Sequence, residues 1–336
     1  MKEAVPVYIL SGFLGSGKTT LLGQLLEHFK QEGKKPAVVM NELGEVNLDG
    51  QIVGSTVPMA ELLGGCICCS IRGDLSTELA TLIKQEQPDV VIIEATGAAN
   101  PLEVVDGVTE VSLYLKVELK GLITVVDAAH LLELHRAQKG ATYRLMQEQI
   151  RCASVLLMNK TDRISPEEAE EVRSILEKWN GAAPVRFTEY CAADPAEVLS
   201  LSEGGGAEWE QTAGPHDQAA DGEGETDANP LHDHVMAYTH YFSGPVNSES
   251  FEALIKDLPR DVYRAKGIVS FNDTTGRFLF QYAYRETDFM KITPQGDVPD
   301  VAVFIGEQFS REKLRTQLLR LEKGASALPG KVRRGL

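Results

Sequence analysis

The sequence predicts an α/β protein in two parts: a mostly parallel sheet with helices on both faces, and a smaller α+β domain after it. Short apolar runs alternate with helical patterns through the first ~200 residues, which is typical of parallel strands joined by crossover helices. These runs are nearly continuous rather than alternating, which indicates strands buried on both faces. An acidic, glycine-rich stretch then separates them from the C-terminal residues.

Five strands and one amphipathic helix stand out in the first part. The predicted strands cover residues 5–10, 36–40, 90–93, 122–126 and 155–158. Residues 19–30 are predicted to form a helix, because large apolar side chains recur there at the spacing of one helical face. Those side chains are Leu21, Leu22, Leu25, Leu26 and Phe29.

The second part begins after residues 203–234, which hold few aliphatic residues and cannot repay the entropy of ordering. We therefore predict a first domain at residues 1–202, a flexible acidic linker at 203–234 and an α+β domain at 235–336. The strands predicted in that domain lie near residues 235–242, 267–271, 277–284 and 301–305. One helix capped by Ser248 and a final helix from Ser310 complete it.

Charge and hydropathy exclude two classes of partner. The formal net charge of −16 argues against nucleic acid and against an anionic membrane surface, since both are bound through an excess of Lys and Arg. No apolar run reaches the ~18 residues of a membrane span. The N terminus lacks the apolar core and cleavage site of a signal peptide. We expect a cytoplasmic protein whose acidity serves solubility or attracts metal cations.

Residues 12–19 (GFLGSGKT) match the phosphate-binding pattern G-x-x-x-x-G-K-[ST] between a predicted strand and a predicted helix. The glycines allow backbone N–H groups to converge on phosphates at the positive end of that helix. Lys18 is expected to reach the β- and γ-phosphates, and the Thr19 hydroxyl to bind Mg²⁺. The nucleotide-binding residues predicted here are Gly12, Gly15, Ser16, Gly17, Lys18, Thr19 and Thr20.

Residues 159–162 (NKTD) follow the strand at 155–158 and are predicted to read the base. The Asp162 carboxylate can accept hydrogen bonds from N1–H and N2–H₂ of guanine, whereas adenine would leave it unpaired. Lys160 can lie along the base plane, and Asn159 can connect this loop to the phosphate-binding loop. The predicted ligand is therefore GTP, with GDP as product.

Two further segments are candidates for sensing the γ-phosphate. In residues 94–97 (EATG), Glu94 can hold Mg²⁺ through water and the Gly97 amide can contact the γ-phosphate. Ala98 stands where a water-orienting Gln would follow Gly97. Glu42, Glu45 and Asp49 lie in an acidic segment, where they can orient water, bind metal or simply be solvated. The predicted catalytic residues are Lys18, Glu42, Asp49 and Glu94.

Three cysteines occur within residues 64–69 (GGCICC). Thiolates suit soft or borderline metals such as Zn²⁺, so Cys66, Cys68 and Cys69 are predicted metal ligands. Glu42, Glu45, a His or water can complete the shell. Buried structural thiols and redox chemistry remain alternatives. Because this segment lies between the phosphate-binding loop and Glu94, we expect metal affinity to follow nucleotide state.

The remaining cysteines and histidines carry weaker signals. Cys152 and Cys191 stand alone in the sequence and are predicted to be packing residues. A sparse group of histidines near the linker forms either a second, weaker metal site or a chance grouping. That group consists of His216, His232, His234 and His240.

Taken together, these motifs resemble the CobW-type metallochaperone GTPases of the SIMIBI class of P-loop proteins. The resemblance rests on residues 12–20, 41–45 (NELGE), 64–69, 94–97 and 159–162, and on 264–267 (RAKG) and 304–306 (FIG) in the second domain. It implies slow GTP hydrolysis coupled to metal binding at the cysteines and to delivery to a client metalloprotein. Zinc is the first expectation and cobalt another, and related GTPases often dimerise across the nucleotide. The alternatives are a signalling GTPase with structural cysteines and a nucleotide-stabilised zinc buffer.

Overall fold

The predicted fold class is confirmed by the structure, a computed structural model that describes residues 3–42, 57–63, 71–138, 140–203, 235–283, 285–294, 298–307 and 309–326. These residues form a seven-stranded sheet covered by helices and a separate five-stranded sheet. No helix in the described ranges is long and apolar enough to cross a membrane.

All strand pairs of the first sheet are parallel, in the order β3-β2-β4-β1-β5-β6-β7. The strands are β1 (Val5–Ser11), β2 (Pro36–Glu42), β3 (Met59–Leu63), β4 (Val90–Glu94), β5 (Val117–Asp127), β6 (Val155–Asn159) and β7 (Val185–Phe187). Parallel strands all end at the same edge of a sheet, so the last residues of β1 to β4 lie side by side at that edge.

Helices cover both faces of this sheet, because side chains along each strand alternate between two cores. On β1, Tyr8 and Leu10 face one core, and Val7 and Ile9 face the other. Helices α1 (Lys18–Gln31) and α7 (Pro195–Ser202) cover the first face. The second face is covered by α2 (Ile71–Glu86), α3 (Pro101–Val111), α4 (Ala128–Ala137), α5 (Ala141–Arg151) and α6 (Pro166–Trp179).

Each strand predicted in this domain is present, and two more were not anticipated. Strand β5 begins at Val117, whereas the sequence predicted a start at residue 122. The prediction began too late because Glu118 and Lys120 interrupt the apolar run at the start of the strand. Strand β7 has only 3 residues, too few to give a pattern. Strand β3 lies at the other edge of the sheet.

The second sheet is antiparallel, in the order β11-β10-β9-β12-β8. Its strands are β8 (Val235–Tyr241), β9 (Val262–Ser270), β10 (Arg277–Ala283), β11 (Glu286–Ile292) and β12 (Val301–Glu307). Helices α8 (Ser248–Lys256) and α9 (Arg311–Ser326) pack on one face, around the buried side chains of Phe251, Phe280 and Phe304. The expected α+β domain is thus present, with the additional edge strand β11.

Capping side chains set where these two helices begin. The sequence predicted Ser248 as a cap, but the cap is Asn247, whose side chain accepts a hydrogen bond from the Ser250 N–H at 3.0 Å. Ser248 is instead the first helical residue. The final helix was predicted to begin at Ser310, and Ser310 directly precedes α9 and caps it, since its Oγ accepts from the Lys313 N–H at 3.2 Å.

The other face of the second sheet packs against the first domain, and its apolar residues join the core under α2 to α6. The Tyr241 hydroxyl accepts from the Val117 N–H at 2.7 Å and lies 3.0 Å from the Leu115 carbonyl. Arg264 of β9 forms an ion pair with Asp106 of α3, with 2.5 Å between Nη1 and Oδ2. Apolar packing, a hydrogen bond and an ion pair therefore join the two domains.

Candidate functional site: the phosphate-binding loop and its neighbours

The loop between β1 and α1 is built around three glycines with left-handed backbone angles, namely Gly12, Gly15 and Gly17, with φ of +134°, +74° and +118°. A Cβ on Gly12 would lie 2.2 Å from the Val125 carbonyl oxygen, and one on Gly17 would lie 2.6 Å from both Asn159 Nδ2 and Cys191 Sγ. Side chains are excluded at both positions by conformation and by contact. The loop can therefore turn its backbone N–H groups toward a ligand at the start of α1.

Lys18 lies inside the curve of this loop. Its Nζ donates hydrogen bonds to the carbonyls of Gly12 at 3.0 Å and Phe13 at 3.2 Å, and only 7% of the residue is exposed. Ser16 is fully buried, and its Oγ has no hydrogen-bond partner among the described residues. A buried cation and an unsatisfied buried hydroxyl both fit a phosphate group placed in this loop.

Thr19 and Glu94, predicted separately as magnesium ligands, contact each other. The Thr19 hydroxyl donates to Glu94 Oε1 at 2.8 Å, and Glu94, at the end of β4, is only 7% exposed. A hydroxyl and a buried carboxylate are hard oxygen donors of the kind that Mg²⁺ prefers. The residues thus fit the ion: Thr19 and Glu94 would hold it, and it would offset the negative charge of the phosphates.

The loop that follows β4 lies directly against the phosphate-binding loop. A Cβ on Gly97 would lie 2.5 Å from the backbone nitrogen of Leu14, so the two backbones touch. On its other side, the Gly97 carbonyl accepts from Gln149 Nε2 at 3.1 Å. Gln149 was not singled out by the sequence, because a single glutamine in an amphipathic helix carries no motif.

Asn159 connects the predicted base-reading segment to the phosphate-binding loop, as expected. Its Nδ2 donates to the Ser16 carbonyl at 2.8 Å. Its Oδ1 accepts from the Cys191 N–H at 2.8 Å and from the Thr188 hydroxyl at 3.2 Å. Only 2% of Asn159 is exposed, so its amide links three loops from within the protein.

Lys160 and Asp162 are placed differently from each other. The Lys160 backbone is left-handed, with φ of +61°, and its Nζ lies 2.7 Å from Oδ2 of Asp127 at the end of β5. This ion pair, which the sequence did not predict, fixes the direction of the lysine side chain. Asp162 lies in the 3₁₀ turn Thr161–Arg163 and is exposed, so its carboxylate is accessible to a ligand.

The segment after β7 forms a further wall of this region that the sequence did not predict. Cys191 is buried as expected, but it is more than a packing residue, because its Sγ contacts the Gly17 carbonyl at 3.3 Å. Burial raises the pKa of the Cys191 thiol to about 12. Tyr190 is 78% exposed, and its carbonyl accepts from Gln24 Nε2 at 3.4 Å. The position of this segment after a strand of the same sheet was the available signal, but β7 is too short to be recognised.

An open groove of about 730 Å³ runs along the outer side of α1 next to these loops. Thr20, the last predicted residue of the phosphate-binding segment, lines it together with Thr19. Asp194 and Pro195, at the start of α7, form the opposite wall. The groove continues along α1 as far as Gln31, and none of residues 159–162 lines it.

Several predicted residues lie outside the described part of the chain. Glu42 ends β2, but its side chain is not described, and β3 ends at Leu63, just before the cysteine segment. The predicted residues that lie wholly outside are Glu45, Asp49, Cys66, Cys68, Cys69, His216, His232 and His234. Within the described ranges, no group of three or more His, Cys, Asp or Glu residues could hold a metal ion.

His240, the described member of the predicted histidine group, is a buried residue of β8. It is 7% exposed, with Nδ1 at 3.3 Å from the Tyr238 hydroxyl and its ring edge-on to Phe242. Burial lowers its pKa. These contacts account for His240 as a packed residue of the second domain.

Family models match both domains of this chain. Residues 6–187 match the CobW/HypB/UreG nucleotide-binding domain, and residues 235–322 match the cobalamin synthesis protein cobW C-terminal domain. The zinc chaperone YjiA of Escherichia coli (strain K12) is 30% identical over 332 residues, which cover 95% of this chain and 99% of YjiA. The crystal structure of Zn(II)-bound YjiA GTPase from E. coli has a TM-score of 0.46 and 23% identity, over 96% of this chain and 99% of that one.

Two other relatives match over shorter regions. The zinc-regulated GTPase metalloprotein activator 1 of Dictyostelium discoideum is 32% identical over 233 residues, 59% of this chain and 48% of its own. The zinc chaperone YeiR of E. coli (strain K12) is 32% identical over 187 residues, 55% of this chain and 56% of its own. The chain thus spans about half the length of these two relatives. With both domain matches and the phosphate-binding loop in place, this chain belongs to the CobW/HypB/UreG family and carries the cobW C-terminal domain.

Proposed function

We propose that this chain is a metallochaperone that couples GTP binding and hydrolysis to the binding of a transition metal and its delivery to a client protein. Zinc is the proposed cargo, and cobalt is the second choice. The observation that carries the proposal is the shared sheet edge, where β1, β2, β3 and β4 all end. In the sequence, β1 is followed by the phosphate-binding loop, β2 by the acidic segment and β3 by the cysteine segment, and Glu94 is the last residue of β4.

GTP hydrolysis is supported by the groups around the phosphate-binding loop. Lys18 holds negative charge on the β- and γ-phosphates, and Gly97, packed on Leu14, is placed to respond to the γ-phosphate. Glu42 or Asp49 orients the attacking water. We expect a slow intrinsic rate, because Ala98 follows Gly97 where other GTPases carry a water-orienting Gln.

Guanine selectivity is assigned to Asp162, whose exposed carboxylate accepts two hydrogen bonds from the base. Asn159 holds this turn against the phosphate-binding loop, and the Lys160–Asp127 ion pair holds the lysine stem in one direction. Base recognition therefore uses one side chain that contacts the base and two contacts that position it.

The metal cargo is assigned to Cys66, Cys68 and Cys69, with Glu42 as a further ligand. The two described cysteines do not compete for it, because burial raises the pKa of both the Cys152 and the Cys191 thiol and disfavours the thiolate that binds metal. The names of the relatives YjiA and YeiR, both zinc chaperones, support zinc as the cargo.

The remaining assignments complete the proposal. Residues 1–202 form the GTPase domain, 203–234 the linker, and 235–336 the domain that docks on the client or on a second copy in a homodimer. The protein works in the cytoplasm and uses neither nucleic acid nor membrane as a partner. Two alternatives, a signalling GTPase with structural cysteines and a zinc buffer that nucleotide only stabilises, are separated from it by one experiment.

That experiment measures zinc release by stopped flow with a chromogenic zinc indicator. The protein is loaded with Zn²⁺ and Mg²⁺, then mixed with GTP or with a non-hydrolysable analogue, beside a variant with Cys66, Cys68 and Cys69 changed to Ser. The chaperone releases zinc faster with GTP, and the triple variant binds little. Equal release with both nucleotides rules out delivery driven by hydrolysis. A hydrolysis rate unchanged by chelator favours the signalling alternative, and absence of turnover favours the buffer.

A further inference from the structure

Gln149 is a buried polar side chain that the proposed function does not use. It lies in α5, and only 1% of it is exposed. Its Nε2 donates to the Gly97 carbonyl at 3.1 Å and to the Ala99 carbonyl at 3.4 Å. Both acceptors belong to the loop after β4, which carries the predicted γ-phosphate sensor.

The glutamine is itself held in place from the sheet. The hydroxyl of Thr124, a buried residue of β5, donates to the Gln149 backbone carbonyl at 3.0 Å. The amide therefore extends from a point fixed on the central part of the domain. It reaches the loop from the side of α5, away from α1, which lies on the other face of the sheet.

The loop that Gln149 holds is a short turn with little room to move. The Ala99 N–H donates to the Thr96 carbonyl at 2.9 Å, which closes the turn. Gly97 is pressed against the phosphate-binding loop, since a Cβ there would lie 2.5 Å from the Leu14 nitrogen. The turn is thus held between the phosphate-binding loop on one side and the amide of Gln149 on the other.

The amide is a costly way to obtain stability alone. Gln149 Oε1 is buried without a hydrogen-bond partner among the described residues. Burying the unpaired oxygen of an amide costs free energy that offsets much of the stability contributed by its two hydrogen bonds. A protein with an apolar side chain of the same shape at this position can be nearly as stable. The contribution of the glutamine therefore lies in the two carbonyls that it holds rather than in packing.

We propose that Gln149 is a positioning residue for GTP hydrolysis, which holds the Gly97 turn against the phosphate-binding loop in the place where it senses the γ-phosphate. The inference rests on the proposed GTPase function and adds a residue to that same site. Gln149 does not orient the attacking water, because the side chain is buried with only 1% of the residue exposed, and its amide nitrogen donates to the two carbonyls of the turn. It acts through the backbone of Gly97.

The test compares Gln149→Met, which keeps the shape and removes the hydrogen bonds, with Gln149→Asn, which keeps the amide but is shorter. The control is Gln147→Met, the same change two residues earlier at a less buried position of α5. The whole chain is assayed for GTP turnover and for affinity to GDP and to a non-hydrolysable GTP analogue. In both Gln149 variants kcat should fall about tenfold, as expected for two lost hydrogen bonds. The ratio of analogue affinity to GDP affinity should also fall about tenfold. GDP affinity should stay within about twofold, and Gln147→Met should match the unchanged protein.

The outcomes separate the inference from the function on which it rests. If the unchanged protein hydrolyses GTP and Gln149→Met does so at the same rate, the positioning role is wrong. A parallel loss of GDP affinity and kcat would show a general structural role and also overturn it. If the unchanged protein has no GTP turnover under any condition, the proposed function fails first, and the ratio of analogue to GDP affinity then decides whether Gln149 still positions the turn.

Discussion

Replacing Asn159 with Ala should uncouple the base-reading segment from the phosphate-binding loop. The side chain makes three hydrogen bonds, to the Ser16 carbonyl, from the Cys191 N–H and from the Thr188 hydroxyl. At about 1 kcal/mol for each buried hydrogen bond, the change costs about 3 kcal/mol. Because the three bonds join the loops that surround the nucleotide, most of this cost should appear in nucleotide binding.

The expected result is a dissociation constant for GDP that rises by about 30- to 100-fold. The measurement is a fluorescence titration with a GDP analogue at fixed Mg²⁺, combined with urea unfolding of the nucleotide-free protein. Unfolding checks that the variant is folded and reports the loss of stability. The GDP titration reports how much the free energy of GDP binding changes at the same time.

A matched control lies in the same domain. Asn180 is also fully buried, and its Nδ2 donates to the Ile150 carbonyl at 2.7 Å and the Ala153 carbonyl at 2.9 Å, while its Oδ1 accepts from the Ala183 N–H at 3.1 Å. It follows α6 at the amino-terminal edge of the sheet, opposite the nucleotide loops. Asn180→Ala should lower the free energy of unfolding by a similar ~3 kcal/mol and leave GDP affinity unchanged. Equal effects of the two variants on GDP affinity would refute the reasoning.

Three further predictions concern charged groups. Asp127→Asn should weaken GDP binding about threefold to tenfold, because it removes the ion pair that holds Lys160. The asparagine oxygen still accepts the hydrogen bond that caps α4. A GDP titration that shows no change would contradict this prediction. Arg264→Ala should lower the free energy of unfolding by about 1 kcal/mol through loss of the contact with Asp106, measured by urea unfolding, with unchanged GDP affinity. Burial lowers the pKa of His240 below 6.5, so the unfolded chain takes up the proton first, and stability is lost as pH falls through about 6.5. His240→Phe should flatten the decline in unfolding free energy between about pH 7 and 5, and an unchanged slope would show that another group causes it.

The architecture of the first domain could be predicted from the sequence because burial on both faces leaves continuous apolar runs. Where burial is incomplete, prediction failed. The first residues of β5 include Glu118 and Lys120, and β11 lies at an edge with alternating exposed residues, so neither resembles a buried strand. The predicted cap, Ser248, was one residue away from the observed cap, Asn247, since both residue types are good caps.

The candidate site was predictable where its chemistry follows a local motif and unpredictable where it depends on contacts between distant segments. The Asn159–Ser16 contact joins motif residues and was anticipated, and Thr19 and Glu94, which contact each other, had each been predicted as magnesium ligands from their motifs. The Lys160–Asp127 ion pair involves an aspartate with no motif around it. Gln149 and Cys191 likewise reach the site only through the packing of α5 and of the segment after β7, which no local pattern encodes.

The position of Asp106 has a mechanical consequence. It lies on α3, whose first residue, Pro101, closely follows the Gly97 turn, and it is held from the other side by Arg264 of the second domain. A helix rises about 1.5 Å per residue and behaves as a rod over so short a distance, so movement at Pro101 reaches Asp106 almost undiminished. A displacement of this turn that carried α3 with it would therefore be felt at the Asp106–Arg264 ion pair, and through that pair by the antiparallel sheet of the second domain.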